Sequence, residues 1–306
     1  MKKLKTVFWG TQRFAAEMLK ELLSTPLFFV ALVITRPDKP AGRGQKNQKP
    51  LIKILAEKFN LPLAQPGTLK NFVLEGHYDL GVAAQYGLLI PKKIIEAPRL
   101  GILNVHPSLL PKYRGASPIQ AALLNDEKET GVTIMKIDEG LDSGPVLAQK
   151  KVEIAPEDTY AALEEKLMKA GKELLLKTAV ELATGKTAPH PQAEAGATYC
   201  RELKREDGRV DWKKPARQIY NMWRAYHPWP GVFGEVKARD RNWRVKFIKW
   251  RYRGGKAAWP AGTLFKIGKK ELGVAGGDSE TLLIEKIQPE GKKIMTSLEF
   301  MNGLRL

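Results

Sequence analysis

Asn104 and His106 stand two residues apart at the end of the apolar run PRLGIL, and Pro107 stops the run directly after them. If that run is a strand, the two side chains share one face, about 6.6 Å apart along it. An amide NH2 is a neutral donor, and an imidazole gives or takes a proton near neutrality. Converging on one carbonyl, the pair suits a carbon whose oxygen becomes an oxyanion, as in acyl transfer. Spacing alone leaves another reading open: a strand-end histidine bonded to a backbone carbonyl beside a turn-forming asparagine.

A third group would decide between them. The segment KIDEGLDSGPVL, residues 136–147, holds Asp138, Glu139 and Asp142 among glycines, so the backbone can bend there and present a carboxylate. Asp142 follows His106 by 36 residues, about the length of one βαβ unit, so neighbouring strands can bring the two together. A carboxylate beside His106 would hold its tautomer. By itself Asp142 reads as a turn or helix-cap aspartate.

The elements that must position these groups follow from periodicity. TVFWG is a strand ending at Gly10, and RFAAEMLKELLS repeats Phe14, Met18, Leu19 and Leu22 at helical spacing. FFVALVIT, YDLGVAAQYG, GILNVHP and GVTIMKID read as further strands, LIKILAEKF and SPIQAALLND as helices, and residues 158–184 as a long amphipathic helix. Alternating strands and helices predict an α/β fold with a doubly wound, mostly parallel sheet, whose sites lie at the carboxyl ends of strands. Residues 190–205 read as a linker, closing a first domain over 1–189. The alternating segments VFGEVKA, WRVKFIKWRY, GTLFKIG, LGVAG and TLLIEKIQ make 206–306 a small antiparallel β domain.

Composition narrows the setting. With 306 residues, 43% hydrophobic, the chain can build two cores. One cysteine, Cys200, cannot form an internal disulfide, and His77, His106, His190 and His227 are too dispersed for a metal site, so no metal is expected. No apolar run approaches the ~20 residues of a membrane span. The expectation is a cytoplasmic protein, a monomer with no membrane contact. The formal charge of +18 points to a polyanion. Residues 205–306 carry 22 Lys and Arg against 11 Asp and Glu, a balance of +11 in one third of the chain, which by itself favours a nucleic-acid or membrane surface on the C-terminal part.

NVHPSLLPKYRGASPIQ followed by ETGVTIMKIDEGLDSGPVL resembles the signature of the 10-formyltetrahydrofolate-dependent formyltransferases, which use an Asn, a His and an Asp in this order and spacing. The resemblance extends through VFWGTQRFA, TRPDKPAGRGQK, AQYGLLIP, VDW and HPWPG, and is nearest to members that formylate methionyl initiator tRNA. It implies a Rossmann-like catalytic domain with a C-terminal β-barrel like the OB fold. It also implies 10-formyltetrahydrofolate as the formyl donor, initiator methionyl-tRNA as the partner, and Asn104, His106 and Asp142 as the catalytic trio. Ser108, Leu109, Leu110 and Pro111 would line the folate site; Tyr86, Gly87, Leu88, Leu89, Ile90 and Pro91 would form the pterin pocket. One departure is Gln12, where members usually read GTP before the phenylalanine of the first motif. The same chemistry on a sugar-nucleotide or glycinamide ribonucleotide amine, formyltetrahydrofolate hydrolysis, or a non-catalytic RNA-binding protein are the alternatives.

Two basic segments are the candidate tRNA contacts. The loop RPDKPAGRGQKNQKP carries Arg36, Lys39, Arg43 and Lys46 with only Asp38 opposing, and little apolar surface to fix it. The resemblance matches Arg43 to the family's functional arginine. In VKARDRNWRVKFIKWRYRGGK, Arg244, Lys246, Lys249, Arg251 and Arg253 alternate with aromatic and aliphatic residues, so one face packs inward while cations face out. The alternation slips between Phe247 and Ile248, which predicts a bulge.

Overall fold

A computed structural model describes residues 3–41, 46–239, 241–268 and 270–304. Contacts divide the chain into two compact units. One is made of Met1–Pro118, Glu129–Glu153 and Glu164–Cys200, the other of Ile119–Lys128, Ile154–Leu163 and Arg201–Leu306.

Up to Cys200 the strands are β1 (Leu4–Gly10), β2 (Phe28–Ile34), β3 (Lys39–Ala41), β4 (Lys46–Gln48), β5 (Leu63–Ala64), β6 (Leu80–Ala84), β7 (Ile102–His106), β8 (Arg114–Gly115), β9 (Glu129–Lys136), β10 (Val146–Glu153) and β11 (Tyr199–Cys200). The helices between them are α1 (Arg13–Leu23), α2 (Leu51–Lys58), α3 (Lys92–Ile95), α4 (Pro118–Leu124) and α5 (Tyr160–Ala183). Seven strands form one sheet in the order β10-β9-β7-β6-β1-β2-β5. The five from β5 to β7 are parallel, while β9 runs antiparallel to β7 and β10 antiparallel to β9. The mostly parallel α/β sheet read from the sequence is therefore present.

Burial explains why these residues form these elements. All five residues of β6 are buried and β1 is buried but for Lys5, as strands covered on both faces must be. Phe14, Met18, Leu19 and Leu22 of α1 are all fully buried. Each such side chain contributes roughly 1.5–3 kcal/mol, so a charge at Met18 would detach the helix. The helix starts close to the strand before it: a Cβ on Gly10 would lie 2.6 Å from the Cβ of Ala15. Because β2 and β7 are parallel, the basic loop after β2 leaves the same sheet edge at which Asn104 and His106 end β7. The base of that loop is a hairpin, β3 paired antiparallel with β4. Residues 190–200, within the stretch expected as a linker, pair with this unit. Val146 and His190 exchange backbone hydrogen bonds of 2.8 Å, and β11 pairs with β8.

The second unit is built on an antiparallel sheet of β12 (Val232–Ala238), β13 (Arg241–Lys256), β14 (Leu264–Ile267), β15 (Glu271–Ala275) and β16 (Glu280–Pro289), in the order β12-β13-β16-β15-β14, with β17 (Met295–Thr296) on β16. The two outer strands meet where Lys237 bridges Thr263, and the Lys237 N–H donates to the Gly262 carbonyl at 3.0 Å, so the sheet curls into a barrel. Val245, Phe247, Trp250, Leu272, Val274, Leu282, Ile284 and Ile287 fill it. The pairing of β13 with β16 shifts between Phe247 and Lys249, where the bulge was expected. Helix α6 (Ala216–Tyr226) holds Arg224, which is buried and bonded to Asn221, Asp126 and the Asp158 carbonyl; α7 (Ser297–Leu304) completes the unit. Among the described residues no helix is long and apolar enough to cross a membrane, and no group of three or more His, Cys, Asp or Glu side chains is placed to hold a metal ion.

Candidate active site

Asn104 and His106 leave β7 on one face, and a carboxylate meets them. Asn104 Nδ2 donates to Asp142 Oδ1 at 3.2 Å, and His106 Nδ1 lies 3.7 Å from Asp142 Oδ2. The same Oδ2 accepts the backbone N–H of Gly115 at 2.8 Å. His106 is buried, and its Nε2 contacts the Tyr113 carbonyl at 3.0 Å. The histidine thus has a backbone carbonyl at Nε2 and also faces the carboxylate through Nδ1. Asp138 takes no part. Its carboxylate accepts from the Gly140 N–H and the Ser143 hydroxyl, which closes its own turn.

The backbone works to achieve this. Asp142 has φ +50° and Tyr113 φ +61°, in the left-handed region. Gly115 has φ +115°, and a Cβ there would sit 2.2 Å from the Cys200 carbonyl oxygen. Residues 113–115 are held against β11: Tyr113 N donates to Thr198 Oγ1 at 2.8 Å, and Arg114 N to the Thr198 carbonyl at 2.8 Å. Burial pushes the Cys200 thiol up, and its Sγ lies against the carbonyls of Tyr113 and Arg114.

A carbonyl only accepts, so Nε2 of His106 carries a hydrogen, and Nδ1 is the nitrogen left to exchange a proton. Of the two N–H bonds on Asn104, one is spent on Asp142, leaving the other to donate. One directed neutral donor held by a carboxylate, beside one exchangeable imidazole nitrogen held in place by a backbone carbonyl, is what stabilising an oxyanion while moving a proton requires.

The folate candidates fall into two groups. Ser108 is buried, with its hydroxyl donating to the Lys112 carbonyl at 2.7 Å. Thr133 and Gln149 fix this loop through the Ser108 carbonyl, the Leu110 N–H and the Leu110 carbonyl; Leu109 and Pro111 are half-buried. Tyr86 points into the core with Trp9 and Ile102, and burial pushes its phenol up to about 12. Leu88 and Ile90 pack on that core, Gly87 and Leu89 are exposed, and Pro91 is half-buried. The Arg36 guanidinium lies over Gly87: a Cβ there would be 3.3 Å from Nη1. Gln12 is the N-cap of α1 with no side-chain capping bond, and its carbonyl accepts the Ala16 N–H at 3.0 Å.

Of the loop cations, Lys39 is exposed, and Arg43 and the side chain of Lys46 lie outside the described residues. Asp38, the one acid in the loop, is drawn away to Gln65 and Lys53, whose hydrogen bonds, that of Gln65 first, hold its carboxyl below the usual range. On β13 the five expected cations face out, but carboxylates meet four of them. Arg244 pairs with Glu235 at 3.2 Å, Lys249 with Glu285 at 2.7 Å, Arg251 with Glu271 at 3.3 Å and Arg253 with Glu271 at 2.8 Å. Lys246 has no such partner among the described residues. It lines a cavity of 470 Å³ with Arg244, Arg205 and Arg209. The last two were missed because they lie outside the alternating run and their approach to β13 is a matter of packing.

Residues 2–179 match the family described as formyl transferase, and residues 202–305 match its C-terminal domain. The chain is 44% identical to a methionyl-tRNA formyltransferase from Thermodesulfovibrio yellowstonii, across 98% of this chain and 96% of that one. It is 39% identical to one from Roseiflexus castenholzii, across 99% and 97%. A solved N-formyltransferase from Helicobacter canadensis, in complex with folinic acid and dTDP-3-aminofucose, superposes with a TM-score of 0.68 at 19% identity, covering 94% of this chain and 100% of that one.

Proposed function

The chain belongs to the formyl transferase family, and on that premise we propose that it transfers the formyl group of 10-formyltetrahydrofolate to the α-amine of methionine on initiator tRNA. The observation that carries the chemistry is the convergence of Asn104, His106 and Asp142, with both carboxylate oxygens engaged.

The amine attacks the formyl carbon, a C–N bond forms, and negative charge collects on the formyl oxygen. The free N–H of Asn104 donates to that oxygen. His106 Nδ1 takes the proton released by the attacking nitrogen and returns it to N10 of the donor as the C–N10 bond breaks, so tetrahydrofolate leaves neutral at that nitrogen. Asp142 holds the Asn104 amide in place and keeps a carboxylate 3.7 Å from the ring nitrogen that carries the proton between the two transfers. No covalent enzyme intermediate is needed; positioning and electrostatic stabilisation supply the rate.

Ser108, Leu109, Leu110 and Pro111, with the segment from Tyr86 to Pro91, wall the pterin. For Tyr86 the contribution is through its backbone and its place in the core. The acceptor's phosphates meet Arg36 and Lys39 at the sheet edge, and Arg43 and Lys46 are further candidate contacts by their place in the sequence. In the barrel the phosphates meet Lys246 first, with Arg244, Lys249, Arg251 and Arg253 reached at the cost of their carboxylate partners.

The test is a formyl-transfer assay with 10-formyltetrahydrofolate and methionylated initiator tRNA, beside elongator tRNA and a no-acceptor control, with His106→Ala as the blank. Transfer to initiator alone, lost in the blank, supports the reading. Folate turnover without acceptor would point to hydrolysis instead, and salt-sensitive RNA binding with no turnover would remove the enzyme.

A further inference from the structure

Gln192 belongs to the stretch that reads as linker, yet it reaches the site from behind. Its Nε2 donates to the Asp142 carbonyl at 2.8 Å and to the Gly144 carbonyl at 2.7 Å. Its Oε1 accepts from Arg114 Nε at 3.2 Å and Nη2 at 3.0 Å. Both hydrogens and the oxygen of one amide are therefore used, half-buried, with nothing left over. The two segments it joins are those that hold the trio. Tyr113 and Gly115, on either side of Arg114, touch His106 and Asp142, and the turn over residues 142–144 carries Asp142 itself in a left-handed conformation.

We infer that Gln192 is a positioning residue for formyl transfer: its amide clamps the Asp142 turn to the 113–115 segment and so sets where the Asp142 carboxylate stands relative to Asn104 and His106. The inference rests on the proposed reading of the site. A left-handed non-glycine residue costs free energy and persists only where its surroundings over-determine it. Here two carbonyls of that turn take their donors from a single side chain. Arg114 is itself buried and also meets Glu194 and Tyr199, so the anchor at the other end of the clamp is rigid.

The variants separate positioning from stability. Gln192→Glu keeps an acceptor for Arg114 but sets a second acceptor against two carbonyls, whereas Gln192→Ala leaves room for water to donate to them. The expected losses in kcat are about hundredfold for Gln192→Glu and about tenfold for Gln192→Ala, with KM for donor and acceptor within about threefold. A role in stability alone predicts otherwise: well below the melting midpoint, both variants would turn over at the wild-type rate once folded. Lys20→Ala, which removes only the exposed Lys20–Glu17 pair on α1, serves as the control and retains wild-type kcat.

The assay runs on full-length protein beside His106→Ala. Near-normal kcat in both Gln192 variants, with transfer abolished in His106→Ala, would overturn the positioning role and leave the reading of the site intact. Full transfer in His106→Ala would remove that reading and this inference with it. Should Gln192→Glu not fold, the kcat loss at unchanged KM in Gln192→Ala decides.

Discussion

Asp142 takes its shortest hydrogen bond from the backbone of Gly115, at 2.8 Å, while His106, its expected partner, stands 3.7 Å away. The carboxylate is anchored first by main chain and by Asn104, and acts on the imidazole as a fixed charge nearby.

Removing that charge should cost chemistry and spare binding. Asp142→Ala frees the Asn104 amide and leaves the Gly115 N–H without its acceptor, and single-turnover formylation should fall about a thousandfold. Filter binding of methionylated initiator tRNA should change by less than about threefold. A variant that turned over near the wild-type rate would exclude the mechanism.

Gly115→Ala tests the backbone that places the anchor. The new Cβ would meet the Cys200 carbonyl oxygen at 2.2 Å, at a φ of +115° that side chains avoid. Denaturant unfolding should show a loss of about 1–3 kcal/mol from backbone strain. Transfer by the folded fraction should drop as well, because β8 and β11 must part.

Stability should depend on pH through Asp207. Hydrogen bonds from the Arg201 guanidinium first, then the Lys204 N–H, lower its carboxyl to about 2. A depressed carboxylate stabilises the fold above its unfolded value of about 3.9 and ceases to as pH falls through the folded value. The melting difference between wild type and Asp207→Asn should be full above about pH 4 and vanish toward pH 2. A difference that held constant to pH 2 would refute it.

Charge pairing on β13 predicts unequal roles for cations that look alike in the sequence. Lys246→Ala should reduce the slope of log K against log salt for tRNA by about one unit. Arg253→Ala leaves Glu271 paired with Arg251 and removes a cation that was already neutralised, so its slope should change by less than half as much. Equal slopes for the two would mean that the ion pairs open on binding.

Periodicity within single elements was enough to read much of this protein. The strand ending at Gly10, the buried stripe Phe14, Met18, Leu19 and Leu22, the shared face of Asn104 and His106, and the slip at Phe247 all follow from repeats of 2 or 3.6 residues. Such repeats are local, and they survive in a sequence whatever the element later packs against. Periodicity did not choose among Asp138, Glu139 and Asp142; the resemblance pointed to Asp142, and only the tertiary structure supplies the reason, a left-handed turn and a donor 27 residues earlier, at Gly115. Tertiary structure also drew β11 and Gln192 out of an apparent linker, since a two-residue strand has no period to detect. And it set Glu235, Glu271 and Glu285 against the cations of β13, because opposition across strands depends on register, which the repeat within one strand does not contain.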